Sequence, residues 1–347
     1  MLTMSTLDIS DRDFLNGGRD RYRGNTSAGV VNYGAVSSSG GDVVLLGNFL
    51  QNSGSVSAPA GTVAFGAGGD IIVDNAGGAK ISVQAGGKGG AVGIENTGEI
   101  NAAAAELKAH GNVYALAIKN DGLVRASGYN FSGGRLTLSA GSQGRIVNTG
   151  NLQARNSDGS GGQIQISGGD VELGSSGAGR GQVDASGAAG MAGGNVQVSG
   201  TNVALAQGAS VNVGGSTGGN ATISGTGMTV VNGNIDAVGS VGAGGNVTVE
   251  GSNIAVGSTA AISSTGQNGA GNVLVGGGFQ GKDANVRNAR TLRVDDGAHI
   301  AADSIDSGRG GNIILWSDVD TVFAGAISAT GVTRGGFVEI SGKDTLS

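Results

Sequence analysis

The chain has 347 residues, of which 73 are glycine and one is proline, and it carries a formal net charge of -6. A single proline excludes collagen, and a hydrophobic content of 38%, much of it in short alternating runs, disfavours a disordered linker. The acidic balance, without long basic runs, disfavours nucleic acid as a partner, and no apolar run reaches the roughly 18 residues of a membrane helix. The absence of cysteine removes disulfides and thiolate chemistry, which suits an exported chain that must stay uncrosslinked until it leaves the cell.

Residues 1–27 form the most highly charged stretch of the chain. The open end of a stack of repeats exposes unpaired strand edges, which natural proteins cover. We therefore predict that residues 1–27 form an N-terminal cap, or part of one. The charged residues of this stretch include Asp8, Asp11, Arg12, Asp13, Arg19, Asp20, Arg21 and Arg23.

Residues 28–155 repeat a turn of the form Asn-x-Gly, followed by alternating apolar positions. The turn begins at Asn32, Asn52, Asn96, Asn120 and Asn148, with spacings of 20, 44, 24 and 28 residues. We interpret the spacing of 44 as two coils of about 22 residues, with Asn75-Ala76-Gly77 as a degenerate marker between them. Because glycine and asparagine tolerate a left-handed backbone, we expect one left-handed corner that recurs along a stack.

Residues 156–347 repeat Gly-Gly-Asn instead. The motif or a variant of it begins at Gly193, Gly218, Gly244, Ala270, Gly310 and Gly335, with spacings of 25, 26, 26, 40 and 25 residues. Apolar residues recur two and four positions after the second glycine, a period of two that indicates a strand with one buried face. The first pair of this kind is Val196 and Val198; later pairs in the coils are Val203 with Leu205, Met228 with Val230, Val211 with Val213, and Ile235 with Ala237.

These patterns predict an all-β chain that folds as a parallel β-helix, with about 20–26 residues and three short strands per coil. None of the strands buries its apolar face alone, so the part with Gly-Gly-Asn repeats is expected to continue the part with Asn-x-Gly corners. We expect at most a turn or two of helix. The asparagine column formed by Asn195, Asn220, Asn246, Asn272 and Asn312 is expected to form a hydrogen-bonded ladder along the stack, or else to be solvated.

One coil, at about residues 270–309, is some 15 residues longer than its neighbours. Insertions in a solenoid protrude as loops on one face and often carry binding, so residues 277–297 are the predicted contact loop, with a solvated structural loop as the alternative. Trp316 follows Leu315 on an alternating strand and is expected to point outward, where it stacks on a sugar or packs beneath a neighbouring loop. The candidate binding residues are therefore Lys282, Arg287, Arg290, Arg293 and Trp316.

The sequence offers no clear catalytic or metal-binding constellation. Asp295 and Asp296 are adjacent and face opposite ways on a strand, and the two histidines, His110 and His299, lie 189 residues apart. The calcium-binding Gly-Gly-x-Gly-x-Asp nonapeptide is absent as well. We therefore predict no catalytic residue, no metal site and no cofactor, and expect that the protein is not an enzyme.

Several segments resemble the filamentous-haemagglutinin-like exoproteins. Residues 5–17, Ser-Thr-Leu-Asp-Ile-Ser-Asp-Arg-Asp-Phe-Leu-Asn-Gly, resemble the late part of the secretion domain of that family. The segments 30–36, 40–47, 100–108 and 111–117 are similar to the same domain, whereas 311–318, 323–329 and 335–343 are similar to the large exoproteins. The family's secretion domain carries Asn-Pro-Asn motifs ahead of the matched region, and the single proline here, Pro59 in Ala58-Pro59-Ala60, belongs to no such motif.

The resemblance implies a right-handed β-helix that a dedicated outer-membrane partner transporter exports, provided that secretion motifs lie upstream. It implies a surface adhesin, located outside the cell or on its outer surface, and residues 1–27 are then a remnant of the secretion domain. The implied partners are glycans or proteins on a host cell or a neighbouring cell.

Three functional hypotheses remain open at this stage. The first is a rigid adhesin stalk whose outward loops touch a partner. The second is a structural fibre that self-associates end to end, because flat glycine-rich strands invite pairing. The third is a β-helical polysaccharide-degrading enzyme.

Overall fold

A computed structural model describes residues 1–16, 18–74, 80–84, 88–110, 114–129, 133–175 and 180–347. The chain divides into two compact units: unit 1 is Met1–Asp158 with Ile164–Val171, and unit 2 is Gly159–Gln163 with Glu172–Ser347. Within the described residues, helix is confined to Asp11–Asn16 and a single 3-10 turn at Phe279–Gly281. The strands are mostly short and mostly paired in parallel in one large sheet, so the predicted all-β parallel β-helix is confirmed.

Unit 1 stacks successive strands in parallel register. Val30–Asn32 pairs with Leu50–Asn52, which pairs with the end of Gly90–Asn96, and that strand pairs in turn with Tyr114–Asn120. The strands of unit 1 are Leu2–Ser5, Asp8–Ile9, Arg19–Arg23, Val30–Asn32, Ala35–Ser37, Val43–Gly47, Leu50–Asn52, Ser55–Ala67, Asp70–Asp74, Lys80–Val83, Gly90–Asn96, Glu99–Ala109, Tyr114–Asn120, Leu123–Ala126, Arg135–Ser139, Arg145–Asn148 and Asn151–Ala154.

The spacing of 44 residues is one coil with an insertion, and the interpretation as two coils is wrong. Asn52 pairs directly with Asn96 in parallel register, and the Asn52 side chain donates a 2.8 Å hydrogen bond to Asn96. The supposed middle marker, residues 75–77, lies outside the described residues. What the insertion adds is a separate antiparallel sheet.

That antiparallel sheet has four strands in the order Lys80–Val83, Asp70–Asp74, Arg19–Arg23 and Asp8–Ile9. Its apolar side chains pack on residues of the β-helix that point away from the helix interior. The buried cluster consists of Leu7, Tyr22, Val44, Leu46, Ala64, Ile71, Val73 and Ile81. The strand Val43–Gly47 is consequently buried on both faces. Residues 1–27 also supply Leu2–Ser5, which pairs in parallel with that strand.

Unit 2 repeats the coil more regularly. The described strands that lie wholly in unit 2 are Gln182–Asp184, Asn195–Gly200, Asn202–Leu205, Ser210–Asn212, Asn220–Gly225, Met228–Val231, Asn234–Asp236, Asn246–Glu250, Asn253–Val256, Ala261–Ser263, Gly266–Asn268, Asn272–Val275, Ala289–Val294, His299–Ala301, Ser304–Ser307, Asn312–Phe323, Ala326–Ser328, Phe337–Gly342 and Thr345–Leu346. Two further strands, Gln163–Ser167 and Asp170–Leu173, each contain residues of both units. The predicted inward pairs are mostly confirmed, for example Val196 and Val198 at 2% and 0% exposure.

One predicted inward pair is wrong by one residue. Val203 lies opposite Thr229, not Met228, because the turn before this strand contains one more residue than in the preceding coil. Met228 is therefore 50% exposed, whereas Thr229 and Val231 are fully buried. The Thr229 hydroxyl is satisfied by donating to the Glu250 carbonyl at 2.6 Å, which allows a polar side chain in the core.

The glycines of the repeated corners are required by close approach between coils. Gly98 and Gly245 do not have positive φ angles, so the expected left-handed corner is wrong. A Cβ atom built on Gly98 would lie 2.0 Å from the carbonyl oxygen of Gly54, and one on Gly245 would lie 1.9 Å from that of Gly219. Only a residue without a side chain lets one coil settle on the previous one at this position.

Candidate functional site

A buried asparagine ladder runs along unit 1. Each side-chain amide donates to the next, from Asn32 through Asn52, Asn96 and Asn120 to Asn148, at 2.7 to 2.8 Å. The amide groups of Asn96 and Asn120 also donate to the carbonyl oxygens of Gly98 and Gly122 at 3.4 and 3.3 Å. This ladder therefore uses both amide hydrogens of those side chains, and Asn52, Asn96, Asn120 and Asn148 are fully buried.

Unit 2 carries a second ladder on its surface. Asn220 donates to Asn195, Asn246 to Asn220, Asn272 to Asn246 and Asn312 to Asn272, at 2.8 to 2.9 Å. The predicted ladder is confirmed, and its members are also exposed or half-buried, so hydrogen bonding and solvation coexist. The donation runs from later coils to earlier ones, opposite to unit 1, and among the described residues each donor uses only one of its amide hydrogens.

The long coil of unit 2 contains an insertion at residues 276–288, which follows Asn272–Val275 and precedes Ala289–Val294. The predicted loop, 277–297, is too long at its C-terminal end. Leu292 and Val294 are each 1% exposed and lie in the core opposite Ile254 and Val256. We refer to residues 276–288 as the flank loop.

Several hydrogen bonds fix the flank loop to surrounding coils. The Arg287 guanidinium donates to the Gly225 carbonyl at 2.9 Å, and the Arg287 backbone N–H donates to the Glu250 carboxylate at 3.0 Å. At the other side of the loop, the Gln280 backbone N–H donates to the Glu339 carboxylate at 3.2 Å. The loop is thus held in place over several coils, which preorganises its surface.

Trp316 packs beneath the flank loop. A Cβ atom built on Gly281 would lie 2.5 Å from the indole ring, and one on Gly277 would lie 2.7 Å from it. The indole N–H donates to the Asp318 carboxylate at 3.1 Å, and Asn288 of the loop donates to the same carboxylate at 3.2 Å. The structure thus matches the packing alternative for this residue, and the indole serves as the support of the loop.

The other predicted binding residues, Lys282, Arg287, Arg290 and Arg293, are all exposed. Lys282 donates to the side chain of Gln280 at 2.6 Å, and Arg293 forms an ion pair with Asp295. In the described ranges, no hydrogen bond or ion pair joins these four side chains to one another, and whether they bind a partner remains a prediction.

A groove of about 630 Å³ opens beside the flank loop. Its lining residues are Asn246, Val247, Thr248, Asn272, Leu274, Phe279, Asn312, Ile314 and Phe337. The rings of Phe279, from the loop, and Phe337 meet edge to face with centroids 5.5 Å apart. Phe337 lies opposite Asn312 in the parallel register and so occupies the position that asparagine holds in earlier coils. The column of amides therefore ends at Phe337, whose ring meets Phe279 of the flank loop.

A second cavity of about 460 Å³ adjoins the groove and shares Asn272, Asn312 and Phe337 with it. Two exposed arginines, Arg309 and Arg334, line this cavity and stand opposite each other as a parallel bridge between adjacent coils. Within the described part of the chain, neither guanidinium forms an ion pair or a side-chain hydrogen bond. Sequence analysis missed both residues, although a signal exists, because each immediately precedes a Gly-Gly pair.

Two carboxylates elsewhere have lowered pKa values. A hydrogen bond from Arg21 is the main reason that the pKa of Asp70, in the antiparallel sheet of unit 1, lies below its usual range. Burial opposes ionisation of Asp303, in unit 2, but hydrogen bonds from Ser328 and Thr330 outweigh that effect and lower its pKa. Asp70 pairs with the Arg21 guanidinium, and Asp303 accepts hydrogen bonds from Ser328 and Thr330. Neither carboxylate lines the groove.

The described ranges contain no group of three or more histidine, aspartate or glutamate side chains that could hold a metal ion. No helix among the residues described is long and apolar enough to cross a membrane.

No protein-family model matches the chain, and no curated protein matches it. Among solved structures, the chain is similar to the crystal structure of the HMW1 secretion domain from Haemophilus influenzae, with 20% sequence identity and a TM-score of 0.49. The similarity covers 90% of this chain and 84% of that chain. A likeness of this strength assigns no role to any residue here.

Proposed function

We propose that this chain is a segment of a secreted or surface-exposed bacterial adhesin, located outside the cell or on its outer surface. In this proposal the stacked coils act as a rigid stalk, and the flank loop with its adjoining groove is the attachment surface. The observation that carries the proposal is the fixed flank loop of unit 2, because a loop held by Gly225, Glu250 and Glu339 presents a preformed surface to a partner. The resemblance of sequence segments to filamentous-haemagglutinin-like exoproteins agrees with this role.

The partner is a glycan or a protein on a host or neighbouring cell. For export, we propose an outer-membrane partner transporter, on the condition that secretion motifs lie upstream of the matched segments. Exposed Lys282, Arg287, Arg290 and Arg293 surround the attachment surface as candidate contacts, whereas Trp316 supports the loop from below.

A loop replacement tests the proposal. Residues 276–288 are exchanged for the two-residue turn Gly251-Ser252, which joins the equivalent strands one coil earlier. Beads coated with the full chain should retain epithelial cells or neighbouring bacteria, and beads coated with the replaced chain should lose most of that attachment. A matched control carries R135Q, which replaces an exposed arginine of unit 1 outside the attachment surface and should leave attachment unchanged. Unchanged attachment after loop replacement, with the far-UV spectrum and thermal midpoint preserved, contradicts the proposal.

Self-association into a fibre is the second candidate function. The flat, glycine-rich strands of the chain support it, because such strands invite pairing with another copy of the chain. Sedimentation velocity over a wide concentration range tests this candidate. A single monomeric species at all concentrations rules out fibre formation, whereas larger species that grow with concentration support it.

A further inference from the structure

We propose that the groove of unit 2 and the cavity that adjoins it bind a linear acidic glycan, with carboxylates at Arg309 and Arg334 in the cavity and sugar rings against Phe279 and Phe337 in the groove. The inference rests on the proposed function, in that it names the ligand of the attachment surface.

The two arginines supply the first argument. Arg309 and Arg334 are exposed, lie opposite each other on adjacent coils, and have no acidic partner within the described residues. Like charges directly opposite each other on neighbouring strands are destabilising. A bound carboxylate relieves that repulsion, because guanidinium groups bind carboxylates through short, charge-assisted and often bidentate hydrogen bonds. The pair therefore favours an anionic ligand.

The exposed asparagine ladder supplies the second argument. An asparagine amide has two N–H donors and an oxygen with two lone pairs. Asn272 donates one hydrogen to Asn246 and accepts one hydrogen bond from Asn312, so one donor and one lone pair remain for a ligand. A sugar hydroxyl donates and accepts at once and matches this pattern. The buried ladder of unit 1 lacks this capacity, because its amides also bond to backbone carbonyls.

The aromatic pair and the apolar floor supply the third argument. Leu274 and Ile314 form the floor between the ladder and the flank loop, and the Phe279 and Phe337 rings stand above it. Sugar rings have apolar C–H faces that pack on aromatic and aliphatic side chains, while their hydroxyl edges reach polar groups. An acyl chain or an apolar peptide fits the floor but uses neither the free amides nor the guanidinium groups.

The repeat of the coil suits a polymer. Adjacent coils lie about 4.8 Å apart along the stack, and the amides of Asn246, Asn272 and Asn312 recur at that interval. One sugar unit of an extended polysaccharide is of similar length, so successive sugars meet successive amides. We therefore place the glycan along the axis of the stack, across the strands.

Isothermal titration of the full chain tests the inference. The probe is an oligogalacturonate of six sugars, and its matched control is the same oligomer with every carboxylate methyl-esterified. We expect binding of the acidic oligomer, weakening as salt increases, and little or no binding of the ester. Because a hydrogen bond to a charged group contributes about 1.5 kcal/mol or more, R309Q and R334Q should each weaken binding about tenfold.

Two further variants separate the roles. R135Q removes an exposed arginine of unit 1 that lines neither the groove nor the adjoining cavity, and it should leave the affinity unchanged. F337N places asparagine at the ladder position, so it should keep the fold and lower the affinity by removing the aromatic surface. Equal binding of acid and ester, the same loss in R135Q as in R309Q, or binding of neither oligomer overturns the inference. Binding of an apolar peptide or a fatty acid at this groove in place of the oligomer also overturns it.

The cell-attachment assay distinguishes this inference from the proposed function. Loss of attachment after loop replacement, together with no binding of oligogalacturonate, leaves the adhesin function standing and overturns the glycan inference. Oligogalacturonate binding that needs Arg309 and Arg334, with attachment unchanged after loop replacement, supports the glycan site and contradicts the adhesin function.

Discussion

The carboxylate of Glu106 accepts a hydrogen bond from the backbone N–H of Ile81 at 3.1 Å. Glu106 belongs to a strand of the β-helix in unit 1, whereas Ile81 belongs to the outer strand of the antiparallel sheet. Lys108 completes the link, since its ammonium donates to Glu106 at 2.9 Å and to the Ile81 carbonyl at 2.8 Å. The Glu106 and Lys108 side chains thereby hydrogen-bond the backbone N–H and C=O of Ile81, at the edge of the antiparallel sheet where a neighbouring strand would otherwise pair.

Replacing Glu106 should loosen this edge. E106A leaves the Ile81 N–H without its acceptor and removes one of the two acceptors of the Lys108 ammonium, so we expect a loss of about 1–3 kcal/mol in the free energy of unfolding. Hydrogen exchange at the Ile81 amide should accelerate in the same variant. E99A, which removes a half-exposed carboxylate from the same strand, serves as the control. Unchanged protection of Ile81 in E106A contradicts the assigned role.

The two asparagine ladders should differ sharply in their contribution to stability. N96A leaves the buried amide of Asn52 and the buried oxygen of Asn120 unpaired, and each such group costs about 1–3 kcal/mol. N246A removes an exposed member of the unit 2 ladder, where water replaces the lost bonds, and should change stability by about 0.5 kcal/mol or less. Urea unfolding of both variants provides the comparison, and similar losses for the two argue against the distinction.

The close approach of neighbouring coils at Gly98 predicts that a side chain is not tolerated at this position. G98A places a methyl group against the Gly54 carbonyl and should destabilise unit 1 by about 1–3 kcal/mol through overpacking. Gly34 has the same place in its Asn-x-Gly turn, but a Cβ atom there meets nothing within 4 Å. G34A should accordingly be tolerated. If thermal unfolding shows the two variants to be equally stable, close approach is not the reason for the repeated glycine.

The parallel stack was predictable because each coil repeats the same apolar alternation and the same corner. The insertion in unit 1 was misread because Asn75-Ala76-Gly77 has the residue types and the spacing of a coil corner, whereas the strands before and after it, Asp70–Asp74 and Lys80–Val83, pair antiparallel. In unit 2, the charge and length of the long coil pointed to the flank loop. Phe279 and Phe337 are distant in sequence and become neighbours only through stacking, so periodicity alone did not bring them together.

The antiparallel sheet should depend on pH through Asp70. The hydrogen bond from Arg21 lowers the pKa of this carboxyl group, so the folded state keeps it ionised at pH values where the unfolded chain binds a proton. Its stabilising contribution is therefore complete at neutral pH and declines as pH falls below about 4. The difference in thermal midpoint between the wild type and D70N should shrink over that range.

A double variant checks the cause of that dependence. R21Q alone should weaken the dependence of the thermal midpoint on acidic pH, as D70N does. The double variant with D70N and R21Q should show little further change in that dependence beyond either single variant. Additive effects of the two substitutions contradict a direct link between the residues.

The most direct test of the account is the attachment of cells to the full chain carrying R309Q, R334Q and F337N together. These exposed side chains line the groove and its adjoining cavity, and none of them takes part in the hydrogen bonds that hold the flank loop, so the thermal midpoint should stay close to that of the wild type. We expect that cells no longer attach to beads coated with this variant. Attachment equal to that of the wild type contradicts the claim that this face of unit 2 is the adhesive surface.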